Sequence, residues 1–402
     1  MTSLKDKLNL YKQKKEEKGD ITRPSPETFG AEKITDGDAT LWRFSSTYDL
    51  AGPAERLGIL STSDIAAFAR HNGVDSDIAF DDLLFVDLET TSLSTAAGSY
   101  AFLFGTGIAR GSELIIDQYF MDDYAGEAAI LRKLAPLFRE RTTVTYNGKS
   151  FDIPLLKTRY RMNRVPGFPV EKKSIDLLHP ARAIFKSIYE NCALGTIEEK
   201  VLGLARDKDI PSWLIPEVYF SYQKHGETAR MDLVVAHHRQ DIASMALLIL
   251  FLNRLYEQVD SRSFDALHRQ SIVNIAQRLY RRDPALFVDM ARFLGDDIFR
   301  ERRLFKCFGA AMKRLGRRDE VLSFWEKDAS VYSLEELAKH CEHIEKNYRK
   351  ALSHCDAAMD LLGRGLLAKE GERQGDDIIA LHKKRFEARV ARLRGKITGG
   401  SR

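Results

Sequence analysis

The sequence predicts an α/β domain, a mixed β-sheet with helices on its faces, followed by an all-α region. Two observations support this prediction. Apolar runs of strand length alternate with helical patterns between residues 83 and 163, and only helical patterns follow residue 260. The chain has 402 residues, which is enough for two or three domains. We therefore expect a sheet-containing domain first and a helical domain after it.

The strands and helices of the first domain follow from the spacing of their apolar residues. Strands are predicted at Thr40–Ser46, Leu83–Glu89, Ala101–Ala109, Leu114–Phe120 and Thr142–Tyr146. Helices are predicted at Ser61–Arg70, Glu127–Arg141, Ser150–Asn163 and Ala229–Glu257. From residue 83 onward, the order of three strands, a helix, a strand and a helix indicates a mixed sheet.

Composition and charge exclude several classes of protein. Hydrophobic residues make up 44% and charged residues 30% of the chain, which excludes a wholly disordered or collagen-like chain. No apolar run approaches the ~20 residues that span a bilayer, and Met1–Lys18 lacks the apolar core of a secretory signal. The 4 cysteines form no CxxC pair. We therefore expect a cytoplasmic protein without a membrane partner, and the net charge of +4 permits a polyanionic one.

The patterns divide the chain into three parts. These are a helical, partly disordered segment at residues 1–39, the α/β domain at 40–258 with its core at 82–257, and an all-α domain at 261–397. Helical hairpins in the last part, as in ELAKHCEHIEKNYRKALSHCDAAM, resemble tetratricopeptide repeats. We expect this region to bind a protein partner. Two other roles fit its clustered arginines: they contact a nucleic-acid backbone, or they are ordinary surface charges.

The strongest chemical signal is the sequence FVDLETTSL at Phe85–Leu93. Asp87 and Glu89 lie two residues apart at the end of an apolar strand, so their side chains share one face. Two carboxylates held together repel each other unless a cation neutralises them, and hard oxygen ligands suit Mg²⁺ or Mn²⁺. Taken alone, the pair also fits a solvated strand end with a capping Asp.

A second signal is the sequence TYNGKSFDIPLL. Asp152 lies early in a helix that follows a short strand, and the helix dipole favours a carboxylate at that position. The polar residues Asn147, Lys149 and Ser150 precede it, and Lys149 could reach a phosphate. Phe151 is expected to lie in the core rather than to provide a surface for base stacking.

A third signal, AHHRQDIASM, places His237 and Asp241 four residues apart on one face of a helix. His237 could act as a base while Asp241 holds a metal ion. An ordinary His–Asp pair on a solvated face is the alternative. His238, which follows His237 in the chain, and Asp176 in SIDLLHPAR are candidates for contacting the metal ligands without binding the metal themselves. Asp176 also fits a loop or cap residue.

The order of these signals resembles the DEDD constellation of ribonuclease-H-like 3′→5′ exonucleases. That constellation has Asp-x-Glu on a first strand, an Asp on a helix after a later strand, and a His and an Asp on a late helix. The stretches FVDLETTSL, GSYAFLFGTG, TYNGKSFDIPLL, SIDLLHPAR and CALGTIEEKVLGLARDKDIPSWLIPEVYFSY closely resemble the YprB-like branch of that superfamily over residues 40–257. The resemblance implies a ribonuclease-H-like sheet with a helical-repeat region after it.

The resemblance also implies roles for individual residues. Asp87, Glu89, Asp152 and Asp241 would bind two divalent ions, Mg²⁺ or Mn²⁺, and Glu89 would also serve in catalysis. His237 would position or deprotonate the attacking water. It stands four residues before the last Asp, whereas histidine-type relatives usually have their histidine five residues before it.

Substrate-binding roles are expected for two groups of residues. Thr90, Thr91 and Leu93 follow the first motif, where related exonucleases contact the 3′-terminal nucleotide. The second group is the polar triplet Asn147, Lys149 and Ser150.

The sequence therefore predicts a metal-dependent 3′→5′ exonuclease acting on DNA or RNA, with a single-stranded 3′ end as its substrate. Two alternatives share the fold: a nucleic-acid-binding or scaffold protein with little turnover, and a structure-specific endonuclease. The presence of all four carboxylates favours the exonuclease. The chain contains no GxGxxG motif and no P-loop, which argues against a nucleotide-cofactor enzyme.

Overall fold

The structure is a computed structural model that describes residues 24–36, 39–75, 77–92, 98–166, 174–206, 208–368 and 374–399. The chain divides into two compact units, Met1–Ser263 and Phe264–Arg402, which we call unit 1 and unit 2. Residues 1–23 of the N-terminal segment that was expected to be helical and partly disordered lie outside the described residues.

In its described part, unit 1 contains one mixed sheet of seven strands in the order β1-β2-β5-β4-β3-β6-β7. The strands are β1 Glu32–Asp36, β2 Ala39–Asp49, β3 Leu83–Thr90, β4 Ala101–Arg110, β5 Glu113–Phe120, β6 Thr142–Thr145 and β7 Ile175–Asp176. β3, β6 and β7 run parallel to one another, and the other neighbours are antiparallel. The mixed sheet expected from the sequence is confirmed.

Strand β3 lies inside the sheet and is buried on both faces, since Leu83 to Val86 are all buried. Strand β1 is an edge strand, and most of its side chains are exposed. The sheet therefore begins before residue 40, where the sequence analysis placed the start of this domain. A short exposed strand has no alternation of apolar residues, so its sequence carries no strand signal.

The helices of unit 1 cover both faces of the sheet. They are α1 Ala51–Arg56, α2 Ala66–Asn72, α3 Glu127–Glu140, α4 Asp152–Met162, α5 Leu178–Phe185, α6 Leu194–Ile197, α7 Ile215–His225 and α8 Met231–Asp260. Helix α6 continues as a π-helical turn at Glu198–Leu202. The helix expected at Ser61–Arg70 begins only at Ala66, because the Asp64 carboxylate accepts the Ala66 N–H at 2.7 Å and starts the helix there.

Helix α8 crosses the sheet at close range because β4 presents two glycines to it. A Cβ atom at Gly105 would lie 2.4 Å from Cε1 of His238, and one at Gly107 would lie 2.6 Å from Cγ2 of Ile242. Helix α8 is long and apolar enough to cross a membrane, but 78% of its most apolar window is buried inside the protein. That burial is typical of a core helix.

The described residues of unit 2 form helices without a β-strand. The helices are α9 Arg269–Arg282, α10 Pro284–Phe293, α11 Arg302–Arg314, α12 Arg318–Asp328, α13 Val331–His343, α14 Tyr348–Gly363 and α15 Asp376–Gly399. The last three share a core that includes Cys341, Cys355 and Phe386. The all-α C-terminal region is thus confirmed, and its similarity to tetratricopeptide repeats stays a prediction.

Candidate metal centre

The structure brings the four predicted carboxylates together at the carboxyl end of β3. Asp87 and Glu89 extend from that strand, Asp152 is the first residue of α4, and Asp241 lies in the first half of α8. The charges of Asp87, Asp152 and Asp241 all act on Glu89, and the charge of Asp87 also acts on Asp152 and Asp241. Three separate elements of the fold therefore contribute to one acidic cluster.

Burial and mutual repulsion make this cluster costly to ionise. Burial is the main cause that raises the pKa of Asp87 to about 6 and that of Asp241 to about 6. The pKa values of Glu89 and Asp152 are raised well above their usual range, first by burial and then by the neighbouring carboxylates. When all four groups are ionised, the cluster therefore carries more negative charge than the surrounding protein neutralises.

The donor atoms of the cluster fit a hard divalent cation. One ligand atom each from Glu89, His237 and Asp241 lies within 4.8 Å of the others. Carboxylate oxygens are the ligands that Mg²⁺ and Mn²⁺ prefer, and an imidazole nitrogen is also accepted by Mn²⁺. Asp87 and Asp152 add two more carboxylates beside them, so the residues present fit one or two such ions.

Two buried contacts hold helix α4, and with it Asp152, against the rest of the domain. Nε of Arg159 donates to Oε1 of Glu127 on α3 at 2.6 Å, and both side chains are almost fully buried. The backbone of Leu88 on β3 also acts on the Asp152 carboxylate and partly opposes the rise in its pKa. The first turn of α4 is thereby fixed beside the end of β3.

His237 faces the carboxylates with its Nε2 atom, which lies 3.5 Å from Oδ2 of Asp241. Its Nδ1 atom lies 2.6 Å from Oδ1 of Asp209 and 2.7 Å from Nη1 of Arg206. When Nδ1 carries a proton it donates to Asp209, and Arg206, which can only donate, then makes no hydrogen bond to that atom. In this tautomer Nε2 keeps a lone pair directed at the cluster. A histidine held in this way can accept a proton or bind a metal ion.

His238, the next residue, is fully buried against the sheet, and its Nε2 lies 3.5 Å from Oδ2 of Asp87. Nδ1 lies 2.9 Å from Nε2 of Gln118, and Nε2 lies 3.0 Å from the carbonyl oxygen of Asp87. Burial lowers the pKa of His238 to about 4, so the ring is neutral at physiological pH. It accepts from Gln118 and donates to the backbone carbonyl of Asp87 on β3.

Asp176 organises the turn that precedes α4. Its Oδ1 accepts the N–H of Asn147 at 2.7 Å and that of Leu178 at 3.1 Å, and its Oδ2 accepts the N–H of Lys149 at 3.1 Å. Asn147 has a φ of 64°, a left-handed conformation that asparagine tolerates better than most residues. Lys149 and Ser150 are exposed beside the acidic cluster.

Phe151 is 42% exposed, so its expected place in the core is wrong. It precedes the first turn of α4, whose buried face begins later, with Leu155 and Leu156. The structure instead leaves an aromatic ring open to solvent next to Asp152.

The two threonines after Glu89 shape the loop that leaves β3. The hydroxyl of Thr90 donates to the carbonyl oxygen of Ser92 at 2.9 Å. The N–H of Thr91 donates to the carbonyl oxygen of Tyr100 at 2.9 Å, and the Thr91 hydroxyl accepts the N–H of Tyr100 at 3.1 Å. Leu93, the third residue of this group, lies outside the described residues.

Three charged residues at the site were not among the predicted site residues: Glu198, Arg206 and Asp209. The carboxylate of Glu198, on the π-helical turn, accepts Nε of Arg206 at 2.7 Å and Nη2 at 2.8 Å. Nη2 also donates to Oδ1 of Asp241. These side chains line a cleft of about 740 Å³ that also contains His237 and Asp241. Arg206 and Asp209 lie in the motif LARDKDIPSWL, where a charged loop between apolar segments is the only sequence signal.

Comparison with known proteins agrees with this geometry. The sequence model of a family described as the RNase H superfamily matches residues 84–253, the segment that holds all four carboxylates and His237. The chain is also similar to a protein of Bacillus subtilis (strain 168) named "Uncharacterized protein YprB". The two are 26% identical over 329 residues, which cover 79% of this chain and 76% of that protein. Residues 84–253 therefore form a ribonuclease-H-like domain, a type of domain that suggests nuclease activity.

Proposed function

We propose that this protein is a DEDD-type 3′→5′ exonuclease that hydrolyses phosphodiester bonds of DNA or RNA with the help of two divalent metal ions. The observation that supports the proposal most strongly is the half-buried cluster of Asp87, Glu89, Asp152 and Asp241. Four carboxylates with raised pKa values, delivered by three elements of a ribonuclease-H-like domain, are poorly neutralised by the protein. A bound cation would recover that electrostatic cost.

The carboxylates would hold Mg²⁺ or Mn²⁺ beside His237. Ions at this position neutralise charge on the scissile phosphate and make the attacking water more acidic. Nε2 of His237 would accept the proton of that water, because Asp209 holds Nδ1 on the far side of the ring. A carboxylate oxygen of Glu89 lies within 4.8 Å of the ligand atoms of His237 and Asp241, and Glu89 would orient the same water.

A single-stranded 3′ end would bind beside the cluster. Phe151 exposes an aromatic ring next to Asp152, and stacking on such a ring tolerates every base. The turn at residues 147–150 exposes Lys149 and Ser150 at the same edge, where a cation and a hydroxyl can contact a phosphate. Thr90 and Thr91 would contact the terminal nucleotide from the other side.

Unit 2 would add a surface for a protein partner or for the nucleic-acid backbone. The arginines in the clusters seen in the sequence differ in their surroundings. Arg300, Arg302 and Arg317 form ion pairs with Asp297, Asp328 and Glu320. Arg278, Arg281 and Arg303 are exposed on α9 and α11, and we propose these three as the backbone-contacting group.

The test is a cleavage assay on single-stranded DNA and RNA of equal sequence, labelled at the 5′ end, with Mg²⁺, Mn²⁺ or EDTA. We expect a ladder of progressively shortened labelled products that disappears with EDTA and in the Asp87→Asn variant. A circular single strand of the same sequence serves as the control, because it offers no 3′ end. Cleavage of the circular strand would show an endonuclease activity in place of the proposed exonuclease activity. If no substrate is cleaved with either metal, the proposed nuclease activity is rejected.

A further inference from the structure

Arg206 lies among three carboxylates at one side of the acidic cluster. Its guanidinium contacts Glu198, Asp209 and Asp241, and only 15% of its side chain is exposed. The proposed exonuclease chemistry assigns no role to this residue. A buried cation in direct contact with a metal-binding carboxylate calls for a reason beyond surface charge.

Glu198 fixes the direction in which Arg206 points. The two side chains form a bidentate pair, with Nε and Nη2 of Arg206 at 2.7 and 2.8 Å from the two oxygens of Glu198. Glu198 is 1% exposed and is carried by the π-helical turn that extends α6. Glu198 is held in place by the π-helical turn, and the guanidinium of Arg206 also contacts the carboxylate of Asp241. The guanidinium therefore has little freedom to turn away from Asp241.

The contact with Arg206 makes the two sides of the acidic cluster unequal. On the α8 side, Oδ1 of Asp241 receives a hydrogen bond from Nη2 of Arg206. In the part of the chain that the structure describes, no Lys or Arg forms an ion pair with the carboxylates of Asp87, Glu89 or Asp152. The charge of Arg206 also lowers the pKa values of Asp87 and Glu89, but among these four carboxylates it touches Asp241 alone, so its effect is strongest on the α8 side.

We propose that Arg206 is a fixed cation that takes the place of part of the metal charge on the α8 side, so that the chain alone binds one divalent ion tightly and the second weakly. The inference rests on the proposed metal-dependent function of the same cluster. The tight ion would be held by Asp87 and Asp152 together with Glu89. The weaker position is the set Glu89, His237 and Asp241, whose ligand atoms lie within 4.8 Å of one another beside the guanidinium. A second ion near Asp241 is repelled by the guanidinium, and at separations of a few ångströms in a buried site that repulsion is large.

The proposal implies an order of assembly. An incoming phosphate adds negative charge to the cleft and offers Arg206 an alternative partner, since guanidinium groups bind phosphate oxygens in the same bidentate manner as carboxylates. Release of Asp241 by Arg206 then opens the second metal position. Arg206 is thus a positioning residue that couples loading of the second ion to the arrival of the substrate.

The test is Mn²⁺ binding to the full chain without substrate, measured from the electron paramagnetic resonance signal of free Mn²⁺. We expect one tight ion and a second at least about tenfold weaker in the unchanged protein, and at least about a tenfold gain in the affinity of the second ion in Arg206→Gln. Arg206→Lys keeps the charge and is expected to keep most of the difference. Lys208→Gln removes an exposed cation of the same loop and serves as the matched control.

Removing Arg206 alone leaves Glu198 buried without its partner, so a second variant guards against loss of folding. The double variant Glu198→Gln with Arg206→Gln removes the pair together and should show the same gain in Mn²⁺ affinity. Two equal ions in the unchanged protein, or no gain in either variant, would overturn the proposal. Binding is measured without substrate, so the two proposals can fail separately. If the protein cleaves nucleic acid but Arg206→Gln leaves the Mn²⁺ affinity unchanged, this inference is rejected and the proposed function is not. The absence of any Mn²⁺ binding rejects it together with the proposed function.

Discussion

Unit 1 and unit 2 each bury a cluster of charged side chains, and the two clusters are balanced in opposite ways. In unit 2, Glu342 on α13 is fully buried and accepts hydrogen bonds from three cations of α15. Arg389, Arg392 and Lys396 lie 2.8, 2.8 and 2.9 Å from its oxygens. The hydrogen bond from Arg392, above all, lowers the pKa of Glu342 to about 2.

The candidate metal centre of unit 1 has the reverse composition. Four carboxylates lie together there, and Arg206 is the cation in contact with one of them, Asp241. Their pKa values are raised where that of Glu342 is lowered. A cluster that the chain neutralises by itself ties two helices together, whereas a cluster with excess negative charge stores an electrostatic cost that an external cation recovers. The sign of the pKa shift thus separates a structural charge cluster from a ligand-binding one.

The largest expected effect comes from the two neighbouring histidines, of which His237 lines the cleft and His238 is fully buried against the sheet. His237→Ala should lower kcat by roughly 10²–10³-fold because it removes the proton acceptor. Its melting temperature should stay close to that of the unchanged protein. His238→Ala should instead lower the unfolding free energy by about 2 kcal/mol, because Gln118 and the Asp87 carbonyl lose a buried partner.

Cleavage kinetics and calorimetry on the same preparations distinguish the two effects. His179→Ala, at an exposed position of α5, is the control for replacement of any histidine. If His238→Ala lost activity without losing stability, the division of roles between His237 and His238 would be wrong.

The acidic cluster should make unit 1 less stable at neutral pH when metal is absent. The pKa of Asp87 is about 6 in the folded protein against an ordinary value of 3.8, so the folded state binds this proton more tightly. Its contribution to stability is fully present below pH 3.8 and is lost as pH rises through about 6. With EDTA at pH 8, Asp87→Asn should therefore be more stable than the unchanged protein by up to about 3 kcal/mol.

That gain should vanish below pH 4, and it should shrink when Mg²⁺ is added to the unchanged protein at pH 8. Melting temperatures measured across this pH range provide the comparison. A loss of stability in Asp87→Asn at pH 8 with EDTA would contradict the idea that the cluster is repulsive.

The opposite pH dependence is expected in unit 2. The pKa of Glu342 lies below its ordinary value of 4.5, so its contribution is present above pH 4.5 and is lost as pH falls toward 2. Glu342→Gln at pH 7 should lower the unfolding free energy of unit 2 by about 2 kcal/mol, because three cations lose their charged acceptor. Glu387→Gln, exposed on α15, should change it little. Equal effects of the two variants in denaturant unfolding would show that the cluster is not structural.

A last expected effect concerns the close approach of α8 to the sheet. A Cβ at Gly105 would lie 2.4 Å from Cε1 of His238, so Gly105→Ala should cost roughly 1–3 kcal/mol of stability. It should also lower activity, because His238 supports the backbone of Asp87. Gly195→Ala meets no atom within 4 Å and should stay within about 0.5 kcal/mol of the unchanged protein. Thermal unfolding of both variants shows whether α8 really packs this closely.

Much of the fold and part of the site could be predicted from local sequence. Strands β3, β4 and β5 are continuous apolar runs with breaks at their ends, and a period of two places Asp87 and Glu89 on one face. The bounds of α3 and α8 follow from their apolar periodicity. Such features depend on neighbours in the chain, so the sequence displays them directly.

The remaining features depend on contacts between distant residues. Arg206 forms ion pairs with both Glu198 and Asp241. These three residues lie on a loop, a π-helical turn and a helix, and no spacing rule connects them. The exposure of Phe151 follows from the turn that Asp176 holds, which delays the start of α4 to Asp152. These residues could be found only once the tertiary structure brought them together.

The most direct test of the central claim is a crystal of the full chain soaked in Mn²⁺ and measured at a wavelength where manganese scatters anomalously. The account predicts a strong anomalous peak bounded by the carboxylates of Asp87, Glu89 and Asp152, and its loss in Asp87→Asn. A weaker peak near Asp241 would agree with the proposed role of Arg206. A crystal with Mn²⁺ bound elsewhere and none at these carboxylates would contradict the account, because the excess negative charge would then not serve to bind metal.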